Sequence, residues 1–175
     1  MTLRRDSPAF SLIELVIVII ILGIIASIAI TRIGTGRQSA GESALKGHLH
    51  TLRNAIDQYY LEHKNLYPAA TTNGKSAKKT NGAFRGQLIE YATIDGISSV
   101  DQDAAFPLGL YIRGDIPALP VGANTGSNFV TVVEQQGPLT ANPVDGNGWI
   151  YNITTGQISA NATEIGSDGK SYDSY

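Results

Sequence analysis

The group best placed to do chemistry in this chain is a single carboxylate. Glu14 stands inside an otherwise uncharged stretch, with Phe10, Leu12 and Ile13 before it and the run Leu15 to Ile30 after it. A carboxylate near the middle of a lipid-immersed helix costs on the order of 2.5 to 3.5 kcal/mol, and less near an end. One kept there marks a function and needs a cation as partner. A local role is also open, because Ser11 and Glu14 have the Ser-x-x-Glu spacing of a capping box, in which the two side chains satisfy the first free N–H groups of a helix. The two roles are compatible: a glutamate that caps one helix is still available to a cation on another chain.

Patterns that carry enzymatic chemistry are broken elsewhere in the chain. Gly36, Gly41 and Ser43 have the spacing of a phosphate-binding loop, but Glu42 stands where the lysine belongs and repels phosphate. Gly34 and Gly36 begin a dinucleotide-binding pattern, yet Ser39 replaces its third glycine and no strand precedes it. His48 and His50 diverge on a helix and His63 is remote, so exposed histidines are expected rather than a metal set. There is no cysteine, hence no thiol nucleophile and no disulfide framework, and no Gly-x-Ser-x-Gly elbow. Asn152 and Asn161 head glycosylation-like triplets that are expected to be chance. The expectation is a chain that is not an enzyme and holds no organic cofactor.

The elements that position Glu14 follow from periodicity. From Phe10 to Thr31 a helix rises about 33 Å at roughly 1.5 Å per residue, matching the hydrocarbon core of a bilayer. Residues 10–31 therefore read as a transmembrane helix. The polar stretch 1–9 before it carries Arg4 and Arg5, which keep that flank cytoplasmic and place the rest of the chain across the membrane. Gly34, Gly36 and Gly41 each cost roughly 1 kcal/mol against alanine inside a helix, which predicts a soft joint. Residues 32–66 continue as an amphipathic helix: Leu45, Leu49, Leu52, Ile56 and Tyr59 or Tyr60 recur at alternating spacings of four and three, while Lys46, His50, Arg53 and Asp57 fall on other faces. Arg53 and Asp57 have the spacing of an exposed ion pair. The helix is expected to end between His63 and Leu66, since Tyr67 precedes Pro68 and that position disfavours helical backbone.

Residues 67–175 read as one head, large enough for a modest core. Thr71 to Asn81 is a polar loop with Lys75, Lys78 and Lys79; Phe84, Leu88 and Tyr91 suggest a short helix. Leu108 to Arg113, Asn128 to Glu134, Gly148 to Ile153 and Gln157 to Ala160 read as strands, the last two joined as a hairpin through Thr154 to Gly156. The predicted fold class is α+β, a long N-terminal helix packed on a small antiparallel sheet. Net charge is −2 but uneven: Arg32 to Glu90 holds nine basic and four acidic side chains, and the part after Arg113 holds six acidic and one basic. Such asymmetry suits head-to-tail packing of subunits. The acidic part argues against nucleic-acid binding, which needs clustered Lys and Arg.

The stretch AFSLIELVIVIIILGIIASIAI resembles the amino-terminal signature of type IV pilins and of the pseudopilins of type II secretion. The resemblance implies a pilin fold and a leader peptide, residues 1–9, cut by prepilin peptidase between Ala9 and Phe10. It also implies N-methylation of Phe10, Glu14 as the assembly residue, and Gly23 as the family's helix glycine. Two positions depart: Ala9 stands where glycine is usual, and Thr31 stands where proline is usual, which leaves Gly34 and Gly36 to supply compliance. The implied partners are a helical filament of like subunits, other pseudopilins, the prepilin peptidase and methyltransferase, an inner-membrane assembly platform with its ATPase, and membrane lipid. The implied location is the bacterial inner membrane, with a cytoplasmic amino terminus and a periplasmic head. Many type IV pilins close a carboxy-terminal loop with a disulfide; this chain cannot, which favours the pseudopilin branch. The alternative is a surface pilus subunit for adhesion, twitching motility or DNA uptake.

Such a cut gives Glu14 its cation. It exposes an α-amino group of ordinary pKa about 7.7 to 8.0 on Phe10, and a methylated amine still carries charge. In a stack of staggered subunits Glu14 of one chain can meet the terminus of another, where low dielectric strengthens the attraction. Desolvation offsets much of that energy, so the pair sets register before it adds stability. An ordinary secretory signal cut after Ala29, releasing Ile30 onward, and an uncleaved anchor are the competing readings. Against the former, the apolar core is longer than the usual 7 to 15 residues and is interrupted early by Glu14. Gly166 to Lys170, with Asp168 and Asp173, offers oxygen ligands and turns, and major pseudopilins bind calcium in a comparable region. Two carboxylates are a thin start towards the six to eight oxygens calcium takes.

Overall fold

The computed structural model describes residues 11–175, with the side chains of 28–36 excepted. The leader 1–9 and the junction of Ala9 with Phe10 lie outside the described residues. Helix α1 spans Leu12–Glu62 and α2 spans Asn81–Ile89. The strands are β1 (Tyr91–Ala92), β2 (Ser98–Ser99), β3 (Leu108–Gly109), β4 (Val130–Val133), β5 (Trp149–Asn152) and β6 (Ile158–Ala160). Short 3-10 turns occupy Pro143–Asp145 and Tyr172–Ser174. The boundary between two compact units falls between Arg37 and Gln38.

α1 takes in Gly34, Gly36 and Gly41. In the second unit its apolar stripe does what the spacing predicts: Leu45, Leu49, Leu52, Ile56 and Tyr59 are buried together with Phe84, Leu88, Trp149, Tyr151 and Ile158. Each such side chain contributes about 1.5 to 3 kcal/mol on leaving water. Gly41 lets the helix lie close to the 120–121 segment, since a Cβ there would meet Val121 Cγ1 at 3.1 Å and the Pro120 carbonyl at 3.2 Å. The helix stops at Glu62 because Lys64 and Asn65 turn left-handed, with φ of 55° and 58°, and the Asn65 N–H closes onto the Tyr60 carbonyl at 3.2 Å.

α2 starts at Thr80, whose hydroxyl accepts the Ala83 N–H at 3.2 Å. Two three-stranded sheets follow, in the orders β2-β1-β3 and β4-β5-β6. The α+β class holds, three of the four strand pairings are antiparallel, and β5 with β6 forms the expected hairpin, Ile150 opposite Ser159. Gly156 makes its turn at φ 72°, where a Cβ would strike the Tyr67 ring. The β4–β5 pair is parallel, because the connection between them is a long crossover through Pro143–Asp145 and not a hairpin turn. The strand expected over Leu108 to Arg113 is only β3, since the Tyr111 and Ile112 N–H groups both turn to the Leu88 carbonyl at 3.0 Å. β1 and β2, of two residues each, are too short to leave an alternating pattern.

Among the described residues no helix is long and apolar enough to cross a membrane. The expected span 10–31 takes in Phe10 and the side chains of 28–31, which lie outside the description. Leu12 to Ser27 alone rises about 24 Å, short of a hydrocarbon core of roughly 30 Å.

Candidate assembly surface

At its amino-terminal end α1 is entered through Ser11, whose carbonyl accepts the Glu14 N–H at 3.0 Å and the Leu15 N–H at 3.2 Å. Glu14 sits in the first helical turn, where a negative charge faces the positive end of the helix dipole. It is exposed, and so are the apolar side chains around it on every face: Leu12 is 79% accessible, and Ile13, Leu15, Ile17, Val18, Ile19, Ile20, Ile21, Leu22, Ile24 and Ile25 are all open. Ser27 turns its hydroxyl inward to the Ile24 carbonyl at 2.7 Å, removing a polar group from that surface. A helix apolar all round is stable only inside lipid or among other helices. This surface therefore holds one ionisable group, Glu14, among the described side chains from Leu12 to Ser27.

In the head the polar candidates are committed to structure. Asp168 accepts the Tyr175 hydroxyl at 2.5 Å and the Lys170 N–H at 3.1 Å, and these donors hold its carboxyl below the usual range. Asp173 accepts the Ser171 hydroxyl at 2.5 Å. Among the described residues no three acidic or histidine groups come together to hold a metal; Asp168 and Asp173 would supply two carboxylates of the six to eight oxygens calcium takes. Asn152 and Asn161 are fully buried. Asn161 donates to the Asn142 carbonyl, Asp145 and the Asn147 carbonyl, which explains both asparagines as internal braces and not glycan acceptors. Lys75 pairs with Glu90 and Lys79 with Glu134, so that loop is no free basic patch.

Two expectations need correction, and one residue gains a role not assigned from the sequence. Arg53 does not pair with Asp57; its guanidinium donates instead to the Ile158 carbonyl at 3.3 Å and the Tyr175 carbonyl at 2.5 Å. Beside it lies an open groove of about 650 Å³ whose walls include Asp57, Leu139, Gln157 and Asp173. His63 is buried, not exposed, packed on Tyr59. Glu42, considered only as the residue that spoils a phosphate loop, is 94% buried (6% accessible) and accepts the Ser167 N–H at 2.7 Å, the Ser167 hydroxyl and the Gln38 side chain. The signal was legible: Glu42 lies three residues before Leu45 and extends the buried stripe by its own spacing.

Residues 4–30 match the family described as the prokaryotic N-terminal methylation motif. The chain is 37% identical over 65 residues to a type II secretion system core protein G of Aeromonas hydrophila, covering 37% of this chain and 45% of that protein. It is 33% identical over 81 residues to a protein of the same description in Pseudomonas aeruginosa, covering 45% and 56%. A third, from Pectobacterium carotovorum subsp. carotovorum, is 29% identical over 94 residues, covering 54% and 59%. The chain spans about half the length of the curated relatives it matches. No solved structure matches it. The matched motif covers both Glu14 and the apolar surface around it.

Proposed function

We propose that this protein is a structural subunit of a type IV pilus-like filament, a pseudopilin of a type II protein secretion system, and not an enzyme. The observation that carries the reading is the α1 surface from Leu12 to Ile25, apolar on every face and exposed, with Glu14 as its one charge. The precursor is held in the inner membrane by residues 10–31, with its head on the periplasmic side. Prepilin peptidase cuts between Ala9 and Phe10 and methylates Phe10. The assembly platform and its ATPase then draw the subunit into a helical filament with other pseudopilins. There the apolar helices cover one another, and Glu14 meets the positive terminus of a neighbouring chain. The likeness to proteins described as secretion system core protein G supports this branch.

Mass spectrometry of the mature amino-terminal peptide tests the processing step. A chain that begins at methylated Phe10 is expected; one that begins at Met1 or Ile30 removes the cation and overturns the reading. Deleting the gene separates the branches. Loss of exported proteins is the expected result, whereas surface filaments that vanish while export continues would assign the chain to a pilus. Calcium at Asp168 and Asp173 is a further proposal drawn from the family resemblance. Comparing thermal unfolding in calcium and in chelator tests it, and an unshifted midpoint retires it.

A further inference from the structure

The segment Ile165–Tyr175 is folded on itself, adds Tyr172 to the hydrophobic core, and is tied to α1 by a set of polar contacts. An antiparallel bridge joins Ile165 to Ser171, and the Gly166 N–H closes the loop onto the Lys170 carbonyl at 2.7 Å. Within the segment Tyr172 is the one large side chain that is buried, while Ile165 is exposed. Three α1 residues reach it. Arg53 holds the Tyr175 carbonyl, Lys46 lies over the Tyr175 ring at 4.7 Å from its centroid, and Glu42 takes the Ser167 N–H and hydroxyl, with the Tyr172 hydroxyl at 3.4 Å.

We infer that Ile165–Tyr175 is a releasable strap over α1, that the Glu42 carboxylate is its latch, and that acid opens it. Donors from two strap residues converge on this one carboxylate, so the contact depends on its being an ionised acceptor. Protonation makes one oxygen a donor facing the Ser167 hydroxyl and N–H, and the charge-assisted bonds are lost. The charged and titratable groups around the latch are Lys46 on α1, Tyr172, Tyr175 and Asp168 on the strap, and Glu164 just before it, which is tied to the Ala123 N–H at 2.6 Å. The tyrosines stay protonated throughout the acid range. The Ser167 bonds hold the Glu42 pKa below its ordinary value. The latch is therefore complete above the ordinary carboxylate range and is lost as pH falls through the lowered value. The inference does not depend on the proposed function.

Lys170 is exposed on the strap and offers a trypsin site that reports its release. In the full chain in detergent at neutral pH, Glu42→Gln is expected to raise cleavage after Lys170 by about tenfold, the loss of one charge-assisted contact. Cleavage after Arg85, which lies on α2 away from the strap, should be unchanged. Equal rates at Lys170 in both proteins overturn the inference. Should Glu42→Gln lose the fold, Ser167→Ala replaces it, removing one donor and giving a smaller acceleration of the same kind. In the wild type, hydrogen exchange corrected for intrinsic rate should show the Gly166 and Tyr172 amides losing protection on acidification before β5 and β6 do. Simultaneous loss of both overturns the inference.

Discussion

The imidazole of His63 lies flat on the ring of Tyr59, the centroids 3.8 Å apart and the planes inclined by 14°. Its Nδ1 meets the Ile94 carbonyl at 3.2 Å, and a carbonyl only accepts, so Nδ1 carries the hydrogen of the neutral ring. The Tyr111 hydroxyl stands 3.0 Å from Nε2 and 2.6 Å from the Glu62 carboxylate, and its single hydrogen serves one of these two acceptors at a time.

Burial pushes the His63 pKa below its ordinary value of 6.5, against the smaller pull of Ile94 and Glu62. The unfolded chain therefore takes up the proton first as pH falls. Stability linked to this ring is full above about pH 6.5 and declines as pH drops through the range between the unfolded and the lower folded value. Denaturant unfolding from pH 8 to pH 5 should show that slope in the wild type, and His63→Asn should flatten it. An unchanged slope in the variant would place the titrating group elsewhere.

Glu14→Gln keeps the shape of the side chain and removes its charge. Processing at Phe10 is expected to proceed, because the substitution leaves the leader and the junction intact, while filament assembly is lost or impaired. Mass spectrometry of the amino terminus and electron microscopy of filaments read the two steps separately. Normal polymerisation of this variant would mean that charge pairing does not set the register.

Gln87 is fully buried and braces the 69–96 region from α2. Its Oε1 accepts the Ala69 N–H at 2.6 Å, and its Nε2 donates to the Gly96 carbonyl at 2.9 Å and to Thr71. Gln87→Ala leaves the Ala69 N–H without that acceptor, which should cost about 1 to 3 kcal/mol. Urea denaturation of the detergent-solubilised chain checks it.

Leu52 and Leu61 lie on one helix and should behave oppositely. Leu52 is fully buried and Leu61 is 76% accessible. Leu52→Ala opens a cavity in the core and is expected to cost about 2 to 5 kcal/mol. Leu61→Ala should stay within about 0.5 kcal/mol in the isolated protein. Comparable losses at both sites would mean that α1 packs with another face inward.

Much of this organisation is written in local pattern. The alternating spacing of Leu45, Leu49, Leu52 and Ile56 names the buried face of α1, because helical geometry alone brings those positions into line. The hairpin of β5 and β6 follows from turn residues between two β-rich runs. Glu14 announces itself because a lone carboxylate in an apolar stretch has no local reason beyond a helix cap. What the pattern could not give was partnership over long separations. Glu42 and Ser167 are 125 positions apart, and only the closing of the head brings a stripe-position carboxylate to a serine N–H.

By itself, then, the sequence determined the apolar helix with its single charge, the stripe that continues it and the α+β class, since these rest on periodicities of two and 3.6 that neighbouring residues carry among themselves. The tertiary structure decided that β4 runs parallel to β5, that Arg53 holds carbonyls instead of Asp57, and that His63 and Glu42 are interior groups. Each of those outcomes is a competition among acceptors, donors and cavities supplied by distant segments. No local spacing encodes which of them wins once the chain has folded.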